Sequence, residues 1–310
     1  MNVSTVIVTY NALRNNWLCT CLDSLQHSTL SSKVIIVDNN SKDDTCRIVK
    51  EKYPHVILIE NHENSGFGKA NNIGIEIALK NNADYVFLLN QDAWVEKETI
   101  QKLVLKLSQN PEFGIISPIH LNGKGNALDY NFSNNINPRN CKNLYSDYVL
   151  NQVFDKVYES AFICAAAWLI SKKCLEKVGG FNPTFFHYGE DDNYVHRLHY
   201  NGLKIGVDPF STIYHDREER ENNDYQKQTK TAERDLLLKY SDPNKSNDLQ
   251  REKKRLKTIL VKSKLFNQTD TITYVRNKIA MIDQHAEQIT KNLNTSKSGQ
   301  SFIFLNLDFN

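Results

Sequence analysis

The sequence predicts an α/β fold, in which a mostly parallel, doubly wound sheet is followed by a C-terminal helical extension. The first 90 residues contain four short β-rich segments that alternate strictly with helical periodicity, at residues 3–8, 33–37, 56–59 and 85–89. Such alternation is typical of parallel sheets whose helices cover both faces. The last third of the chain shows helical periodicity almost throughout, so we expect one domain at residues 1–216 and a mainly helical region at residues 217–310.

The individual elements follow in chain order. The run Tyr85–Leu89 is continuously apolar, which is typical of a strand buried on both faces. After the first strand, helical spacing relates Trp17, Leu18, Cys21, Leu22 and Leu25. Ser41 suits the N-cap of a second helix that starts near Asp43. Further elements are predicted as helices near residues 66–79 and 100–107 and a strand near residues 114–117.

Residues 118–157 break this pattern, because they are rich in Asn and carry no sustained period. A connection of this length in a compact chain is usually functional or disordered. We therefore expect either a flap over the site or a plain surface excursion. Order returns at residues 162–170, where small residues flank Trp168. A buried strand and a surface that a ligand approaches closely explain these small residues equally well.

Composition excludes several classes of protein. The net charge of +2 provides no strong field for nucleic acid. Six cysteines form neither a CxxC pair nor a zinc spacing, which favours a reduced, cytoplasmic setting. No signal peptide is evident, and the longest apolar stretch, Ala161–Ile170, is shorter than the about 20 residues that a membrane span needs. We expect a cytoplasmic protein, with peripheral attachment at the inner face of the cell membrane as the alternative.

Polar residues follow each predicted strand, namely Thr9, Tyr10 and Asn11, then Asp38, then Asn64, and finally Asn90, Gln91 and Asp92. Right-handed crossovers bring the carboxyl ends of parallel strands to one edge, where α/β sheets bind ligands. Asp92 would stand there where a hard cation and a phosphate can meet. An ordinary Asn/Asp turn is the alternative explanation.

Two features later in the chain provide further candidate residues for this edge of the sheet. Glu190, Asp191 and Asp192 are consecutive acids after an aromatic cluster, and a helix dipole alone would also favour them at a helix N-terminus. His215 ends a short predicted strand at residues 211–215. A lone His is more often a core or surface residue than a ligand, but this one follows a strand as Asp92 does.

Together these residues resemble family 2 glycosyltransferases, in particular the rhamnosyltransferase-like and galactofuranosyltransferase-like bacterial members. The matching motifs occur in the family's order over residues 1–216, at residues 6–11, 37–39, 64–74, 89–92, 179–181, 190–191, 197, 202 and 215. The resemblance implies a GT-A fold, which is a Rossmann-like sheet. It also implies inverting transfer of a sugar from a nucleotide-diphosphate sugar.

The resemblance further implies the donor-binding residues, which are Thr9, Tyr10, Asn11, Asp38, Asn64, Lys69, Asn71, Asn90, Gln91 and Asp92. Within this set, Asp38 would accept a hydrogen bond from the base N–H. Asp92 matches the last acid of the family's DxD motif, and Asn90 stands where other members have the first acid. The resemblance assigns Asp191 as general base, Trp168 and Glu190 to the acceptor side, and Asp92 with His215 as metal ligands.

The implied chemistry is physically consistent. A divalent ion, Mg²⁺ or Mn²⁺, would neutralise the leaving diphosphate, although a single carboxylate at Asp92 leaves the metal requirement open. Transfer passes through an oxocarbenium-like state, and the acceptor hydroxyl must lose its proton as it attacks. Inversion therefore needs one base and no covalent nucleophile. Glu190 and Asp192 would raise the pKa of Asp191 by like-charge repulsion.

The expected function is transfer of a sugar from a UDP- or dTDP-linked donor to a glycan or lipid-linked oligosaccharide, in bacterial capsule or O-antigen synthesis. The alternative is a nucleotide-sugar-binding protein with weak or lost catalysis, because Asn90 removes one acid. A nucleotidyltransferase is disfavoured, since Thr9–Asn11 is not a Gly-rich basic loop.

In the C-terminal region we predict helices at residues 225–240 and 251–265, the second basic with an apolar side. This basic helix is either a solvated face or a contact with an anionic membrane surface. Apolar residues three and four apart over residues 272–293 predict a seam that pairs two chains in a homodimer or docks on the first domain. Residues 302–305 are predicted as an added strand or an anchoring tail.

Overall fold

The computed structural model describes residues 1–217, 225–246 and 248–307. These residues form two compact units, one made of residues 1–217 with 301–307 and the other made of residues 225–300 without residue 247. The boundary predicted after Asp216 adjoins residues 218–224, which lie outside the described ranges.

The first unit combines strands and helices in alternation. Its strands are β1 (Val3–Thr9), β2 (Lys33–Asp38), β3 (Ile57–Glu60), β4 (Tyr85–Leu89), β5 (Ala93–Val95), β6 (Phe113–Asn122), β7 (Tyr158–Ser160), β8 (Ala167–Ser171) and β9 (Lys204–His215). Its helices are α1 (Trp17–Gln26), α2 (Thr45–Lys52), α3 (Phe67–Lys80), α4 (Thr99–Gln109), α5 (Tyr130–Asn135), α6 (Leu144–Val149), α7 (Lys172–Val178) and α8 (Glu190–Tyr200).

The strands form one sheet in the order β3-β2-β1-β4-β8-β6-β9-β5, with β7 paired to β9. The first four strands are mutually parallel, as the alternating pattern predicts, and β6 is parallel to β9. β8 enters between β4 and β6 and runs antiparallel to both. The α/β fold class with C-terminal helices is therefore confirmed, and the far half of the sheet is mixed.

Both faces of the sheet are buried, because successive strand residues point into two separate cores. Val6, Val37 and Leu88 contribute to one core, while Ile7, Ile36 and Leu89 contribute to the other. The residues that predicted the first helix are all buried, namely Trp17, Leu18, Cys21, Leu22 and Leu25. The predicted cap of the second helix is wrong, since α2 begins at Thr45 and the Ser41 hydroxyl instead donates to Asp38.

The segment 118–157 is packed rather than a flap or a plain excursion. β6 continues to Asn122, and α5 and α6 follow within the segment. Phe132, Cys141 and Leu144 are each 0% exposed. Such widely separated apolar anchors in an Asn-rich stretch produce no sustained period, which is why the pattern did not predict them.

The last described residues return to the first unit, although the sequence assigned them to the C-terminal region. They form turns rather than a strand. The Phe302 N–H donates to the Glu176 carbonyl at 2.9 Å, and the Ile303 carbonyl accepts from the Gly180 N–H at 2.8 Å. Gly179 permits this approach, because its φ is +79° and a Cβ there would lie 2.1 Å from the Ile303 oxygen.

The second unit contains α9 (Tyr225–Tyr240), α10 (Leu249–Leu265) and α11 (Thr269–Lys297). Along α11, Val275, Ile282 and Ile289 are buried at seven-residue intervals, and the helix packs against α9 and α10. The apolar residues predicted as a seam over residues 272–293 thus contribute to packing within this unit, and pairing with a second chain stays a prediction. In the part of the chain that is described, no helix has the length and hydropathy of a membrane span.

Candidate active site

Strand pairing brings the ends of β1 and β2 together. Thr9 lies opposite Asp38 in the register, and its hydroxyl donates to Asp38 Oδ1 at 2.8 Å. The Ser41 hydroxyl and N–H also donate to this carboxylate, at 2.6 and 2.8 Å. Asp38 is 2% exposed, and these three protein donors already fill much of its capacity to accept hydrogen bonds. Its hydrogen bond to a nucleobase stays a prediction.

A cavity of about 530 Å³ opens at this edge of the sheet. Six of the predicted donor residues line it, namely Tyr10, Asn11, Asn64, Asn90, Gln91 and Asp92. The other four do not line it as the structure describes it, since Thr9, Asp38 and Asn71 are buried and Lys69 is an exposed residue of α3. The Asn71 amide donates instead to the Phe67 carbonyl one turn earlier, at 3.0 Å.

Tyr10 is held by a two-point clamp from Gln91. The Gln91 Oε1 accepts from the Tyr10 N–H at 2.8 Å, and the Gln91 Nε2 donates to the Tyr10 carbonyl at 3.3 Å. The Tyr10 side chain stays 46% exposed on the cavity wall. Asn11 adopts a left-handed conformation with φ of 49°, and its Oδ1 accepts from the Lys42 N–H at 2.8 Å. This geometry leaves an aromatic ring available to stack on a planar base.

The facing wall consists of residues that the sequence reasoning missed. The Phe67 N–H donates to the Phe186 carbonyl at 3.2 Å, which brings Phe186 and His187 to the cavity. Gly66 permits this approach, because its φ is +83° and a Cβ would lie 2.2 Å from the Phe186 oxygen. Arg14 also lines the cavity and adds a guanidinium, a group suited to phosphate. In the sequence, Gly66 and the aromatic cluster before Glu190 were the signals for this wall.

Asp92 and His215 meet because β5 pairs antiparallel with β9, which sets Ala93 opposite His215. The Asp92 Oδ1 lies 3.4 Å from the His215 Nε2, and the Asn90 Nδ2 lies 3.4 Å from the same nitrogen. Asp92 and His215 are each 1% exposed. The structure thus brings together the two predicted metal ligands, although they are 123 residues apart in sequence.

A carboxylate that the sequence reasoning missed stands behind this pair. Asp129 Oδ2 lies 3.4 Å from the His215 Nδ1, and Asp129 Oδ1 accepts the Phe132 N–H at the start of α5. Burial lowers the pKa of His215, but Asp129 and Asp92 outweigh it and hold that pKa above its ordinary value. Burial likewise raises the pKa of Asp129, but His215 and the Phe132 N–H lower it to about 2. His120, 0% exposed, has its ring centre 6.3 Å from that of His215.

Asp92 and His215 would supply only part of the ligand set of a divalent ion. Across the described ranges, no group of three or more His, Cys, Asp or Glu side chains is arranged to hold a metal. Asp92 and His215 nevertheless offer one oxygen and one nitrogen at 3.4 Å from each other, a separation that neighbouring ligands of one ion can adopt. Mg²⁺ commonly takes one or two protein ligands and completes its shell with phosphate oxygens and water. A metal ion would compete with a proton for the His215 ring nitrogen, so binding there would depend on pH.

Asp191 occupies the first turn of α8, after Gly189 at φ of 92°. Its carboxylate accepts from the Asp192 N–H at 2.9 Å and from the Ala165 N–H. Burial, and then the charge of Asp192, raise the pKa of Asp191 to about 6. The Ala166 carbonyl accepts the Asn90 N–H at 2.9 Å. Because Ala165 bonds to Asp191 and the next residue, Ala166, bonds to Asn90, the Asp191 carboxyl group with its raised pKa lies beside the end of β4.

The two residues predicted on the acceptor side are both buried. Trp168 is 0% exposed, with its ring centre 6.1 Å from Phe181 and 5.6 Å from Tyr194. Strand alternation along β8 points this indole into the core, so the prediction of an acceptor surface is wrong for Trp168. Glu190 is 5% exposed in the first turn of α8, where the helix dipole favours an acid, and its role on the acceptor side stays a prediction.

Comparisons with known proteins agree with this geometry. Residues 4–179 match the family model described as Glycosyl transferase family 2. The low-salt glycan biosynthesis hexosyltransferase Agl10 of Haloferax volcanii is 26% identical over 182 residues, which cover 56% of this chain and 56% of its own length. The dTDP-rhamnosyl transferase RfbF of Shigella flexneri is 26% identical over 218 residues, 69% of each chain. This chain thus spans little more than half the length of the first relative.

Solved structures share the fold at low identity. A crystal structure of GalNAc-T7 with UDP, GalNAc and Mn²⁺ has a TM-score of 0.57 and 17% identity, covering 77% of this chain and 47% of that one. S. aureus TarS 1–349 in complex with UDP has a TM-score of 0.52 and 14% identity, covering 96% and 90%. Because the family match spans more than half of the sequence, this protein belongs to glycosyl transferase family 2.

Proposed function

We propose that this glycosyltransferase moves a sugar, with inversion, from a UDP- or dTDP-linked donor to a hydroxyl of a glycan or lipid-linked acceptor. One observation carries the proposal. A donor-sized cavity, the Asp92–His215 pair and a carboxyl group with a raised pKa meet at the same edge of the sheet. The names of RfbF and of the TarS–UDP complex support the choice of donors.

Each residue has a task in the proposed reaction. The Tyr10 ring and the Asn11 backbone provide a surface for the base, and Arg14 adds a cation near the diphosphate. A Mg²⁺ or Mn²⁺ ion held by Asp92 and His215 would supply positive charge to the leaving diphosphate. The Asp129 carboxylate orients the His215 ring through Nδ1, so that Nε2 faces Asp92.

Asp191 serves as the base. It takes the proton from the acceptor hydroxyl as that oxygen bonds to the anomeric carbon. The bond from the anomeric carbon to the diphosphate oxygen breaks at the same time, and its electron pair leaves with the nucleotide. Attack and departure on opposite faces invert the configuration without a covalent intermediate. A pKa of about 6 leaves Asp191 largely ionised at neutral pH but still more basic than an ordinary carboxylate.

The acceptor is proposed to be a bacterial cell-surface polysaccharide, on the analogy of RfbF. Contact with an anionic membrane is part of this proposal. α10 exposes Val261 and Leu265 beside exposed lysines, and Phe266 directly after the helix is exposed as well, a composition suited to an anionic interface. Flotation with vesicles that contain anionic lipid tests the contact, and its absence would leave a solvated helix.

The test of the function is a panel of UDP-, dTDP- and GDP-sugars, each with Mn²⁺, with Mg²⁺ and with chelator. Metal-dependent binding of one donor, followed by slow hydrolysis, is the expected result. The alternative is a nucleotide-sugar-binding protein, which the amide at Asn90 favours. Tight binding, without hydrolysis and without transfer to any glycan tested, would support that alternative. No binding to any donor would refute both.

A further inference from the structure

We propose that a second cavity in the first unit binds an anionic group carried by the acceptor glycan, an inference that rests on the proposed function. The cavity has a volume of about 580 Å³. Arg139, Lys142, Lys156 and His199 line it, and Glu159 is the one carboxylate on its described lining. None of these residues lines the donor cavity.

The charges on this lining are not balanced. The carboxylate of Glu159 is paired with the Lys204 Nζ at 2.7 Å. Within the part of the chain that the structure describes, Arg139, Lys142 and Lys156 form no ion pair, whereas nearby Asp155 is held by Lys106. A cleft lined by one sign of charge concentrates ions of the opposite sign. The cavity is therefore electrostatically suited to a phosphate or carboxylate.

Backbone pairing makes the cations converge. The Ala161 N–H donates to the Asn140 carbonyl at 2.8 Å, and Cys141 pairs with Ser160 in an isolated bridge. These contacts hold β7, which follows Lys156 in the chain, beside the stretch that carries Arg139 and Lys142. The site is thus built from two segments that the packed core of residues 118–157 fixes in place.

Lys156 is also held in position by aromatic rings. Its Nζ lies 4.6 Å from the centre of the Tyr158 ring and 5.0 Å from that of Phe154. Tyr158 is 2% exposed, and its hydroxyl donates to Asp147 at 2.7 Å. A cation–π contact orients an ammonium group without neutralising its charge. Lys156 therefore keeps its charge available to an anion in the cavity.

The position of the cavity relates it to the acceptor. His199 and Asp191 lie on the same helix, α8, eight residues and about 12 Å apart at 1.5 Å per residue. The His199 Nε2 also contacts the Ala161 carbonyl at 3.2 Å, and the same stretch continues to the Ala165 N–H that holds Asp191. A glycan whose hydroxyl is at Asp191 would have to span about 12 Å along α8 to reach this cavity. An anionic substituent on a neighbouring sugar would then meet Arg139 and Lys142.

The experiment is hydrogen–deuterium exchange of the full chain with two probes, inorganic phosphate and a phosphorylated maltooligosaccharide. Peptides over residues 137–143 and 156–161 report the cavity, separately from the donor site. We expect the phosphorylated glycan to slow exchange there, and added KCl to weaken the effect. In the double variant Arg139→Ala/Lys142→Ala, half-protection should need at least about tenfold more glycan, because two charged contacts are lost.

The control is Lys52→Ala/Lys80→Ala, which removes two exposed lysines of the first unit that line neither cavity and should leave the protection unchanged. Thermal unfolding checks that the double variant is folded, and Lys142→Glu provides a second exposed substitution. The proposal would be overturned if the glycan gave no protection in the wild type or equal protection in the double variant. It would also be overturned if inorganic phosphate protected these peptides and the phosphorylated glycan did not. Donor hydrolysis by the wild type is measured in parallel, so that failure of this site is distinguished from failure of the proposed function.

Discussion

Replacing Asp191 by Asn should abolish most sugar transfer while nucleotide binding persists. Removal of a general base typically costs about 10² to 10⁴ in rate. Asn is close to Asp in shape, and its Oδ1 can still accept from the Asp192 N–H. The loss would therefore report the missing base rather than a rearranged α8.

The stability of this variant follows from the direction of the pKa shift. The pKa of Asp191 is raised from 3.8 to about 6, chiefly by burial, so the folded state binds this proton more tightly than the unfolded state. The resulting contribution to stability is present at low pH and is lost as the pH rises through about 6. At pH 7 the ionised carboxylate disfavours the fold. The Asn variant should accordingly melt no lower than the wild type.

The same pKa sets the pH dependence of transfer. With a pKa of about 6, about 9% of Asp191 is ionised at pH 5 and about 91% at pH 7. The wild-type rate should rise roughly tenfold per pH unit below about pH 6 and level off above it. Initial rates of transfer at saturating donor, from about pH 4.5 to about pH 8, measure this profile.

Asp192→Asn is the matched control. Asp192 raises the pKa of Asp191 through its charge, so its removal should move the profile to lower pH and leave the plateau far higher than in Asp191→Asn. Transfer by Asp191→Asn at the wild-type rate, or with the wild-type pH profile, would refute the assignment of the base.

Three further outcomes test the surrounding structure. Asp129→Asn should weaken Mn²⁺ affinity in the presence of nucleotide by about 10- to 100-fold, because His215 loses its charged orienting partner; unchanged affinity by calorimetry would remove that role. Trp168→Ala should lower the free energy of unfolding by about 3–5 kcal/mol in urea titrations, and a small loss would contradict its place in the core. Gly66→Ala should lower the free energy of unfolding by about 1–3 kcal/mol and weaken donor binding, because φ of +83° and the Phe186 carbonyl leave no room for a Cβ. Wild-type donor affinity in this variant would contradict the proposal that Phe186 and His187 form a wall of the donor cavity.

How much of the structure the sequence predicts depends on how far apart in the chain the interacting residues are. The alternation of apolar strands and helices over residues 3–89 was sufficient to predict that this half of the sheet is parallel, because a helix after each strand returns the chain to the same end of the sheet. The strand order, in which β1 pairs with β4, was not predicted. The packed structure of residues 118–157 was not predicted, because it depends on isolated apolar residues such as Phe132 and Leu144 that pack against elements distant in the chain. Trp168 was misplaced for a related reason, because small neighbours indicate close approach without showing which side is buried.

The sequence by itself determined the fold class, the polar ends of the strands and the family, because periodicity and motif order are local properties. It also singled out Asp92, Asp191 and His215 as candidates. Only the tertiary structure decided that His215 lies beside Asp92, that Asp129 stands behind it, and which donor residues reach the cavity. Those facts depend on the antiparallel pairing of β5 with β9 and on the insertion of β8, which join residues more than 50 positions apart. No short-range pattern encodes pairings at that distance.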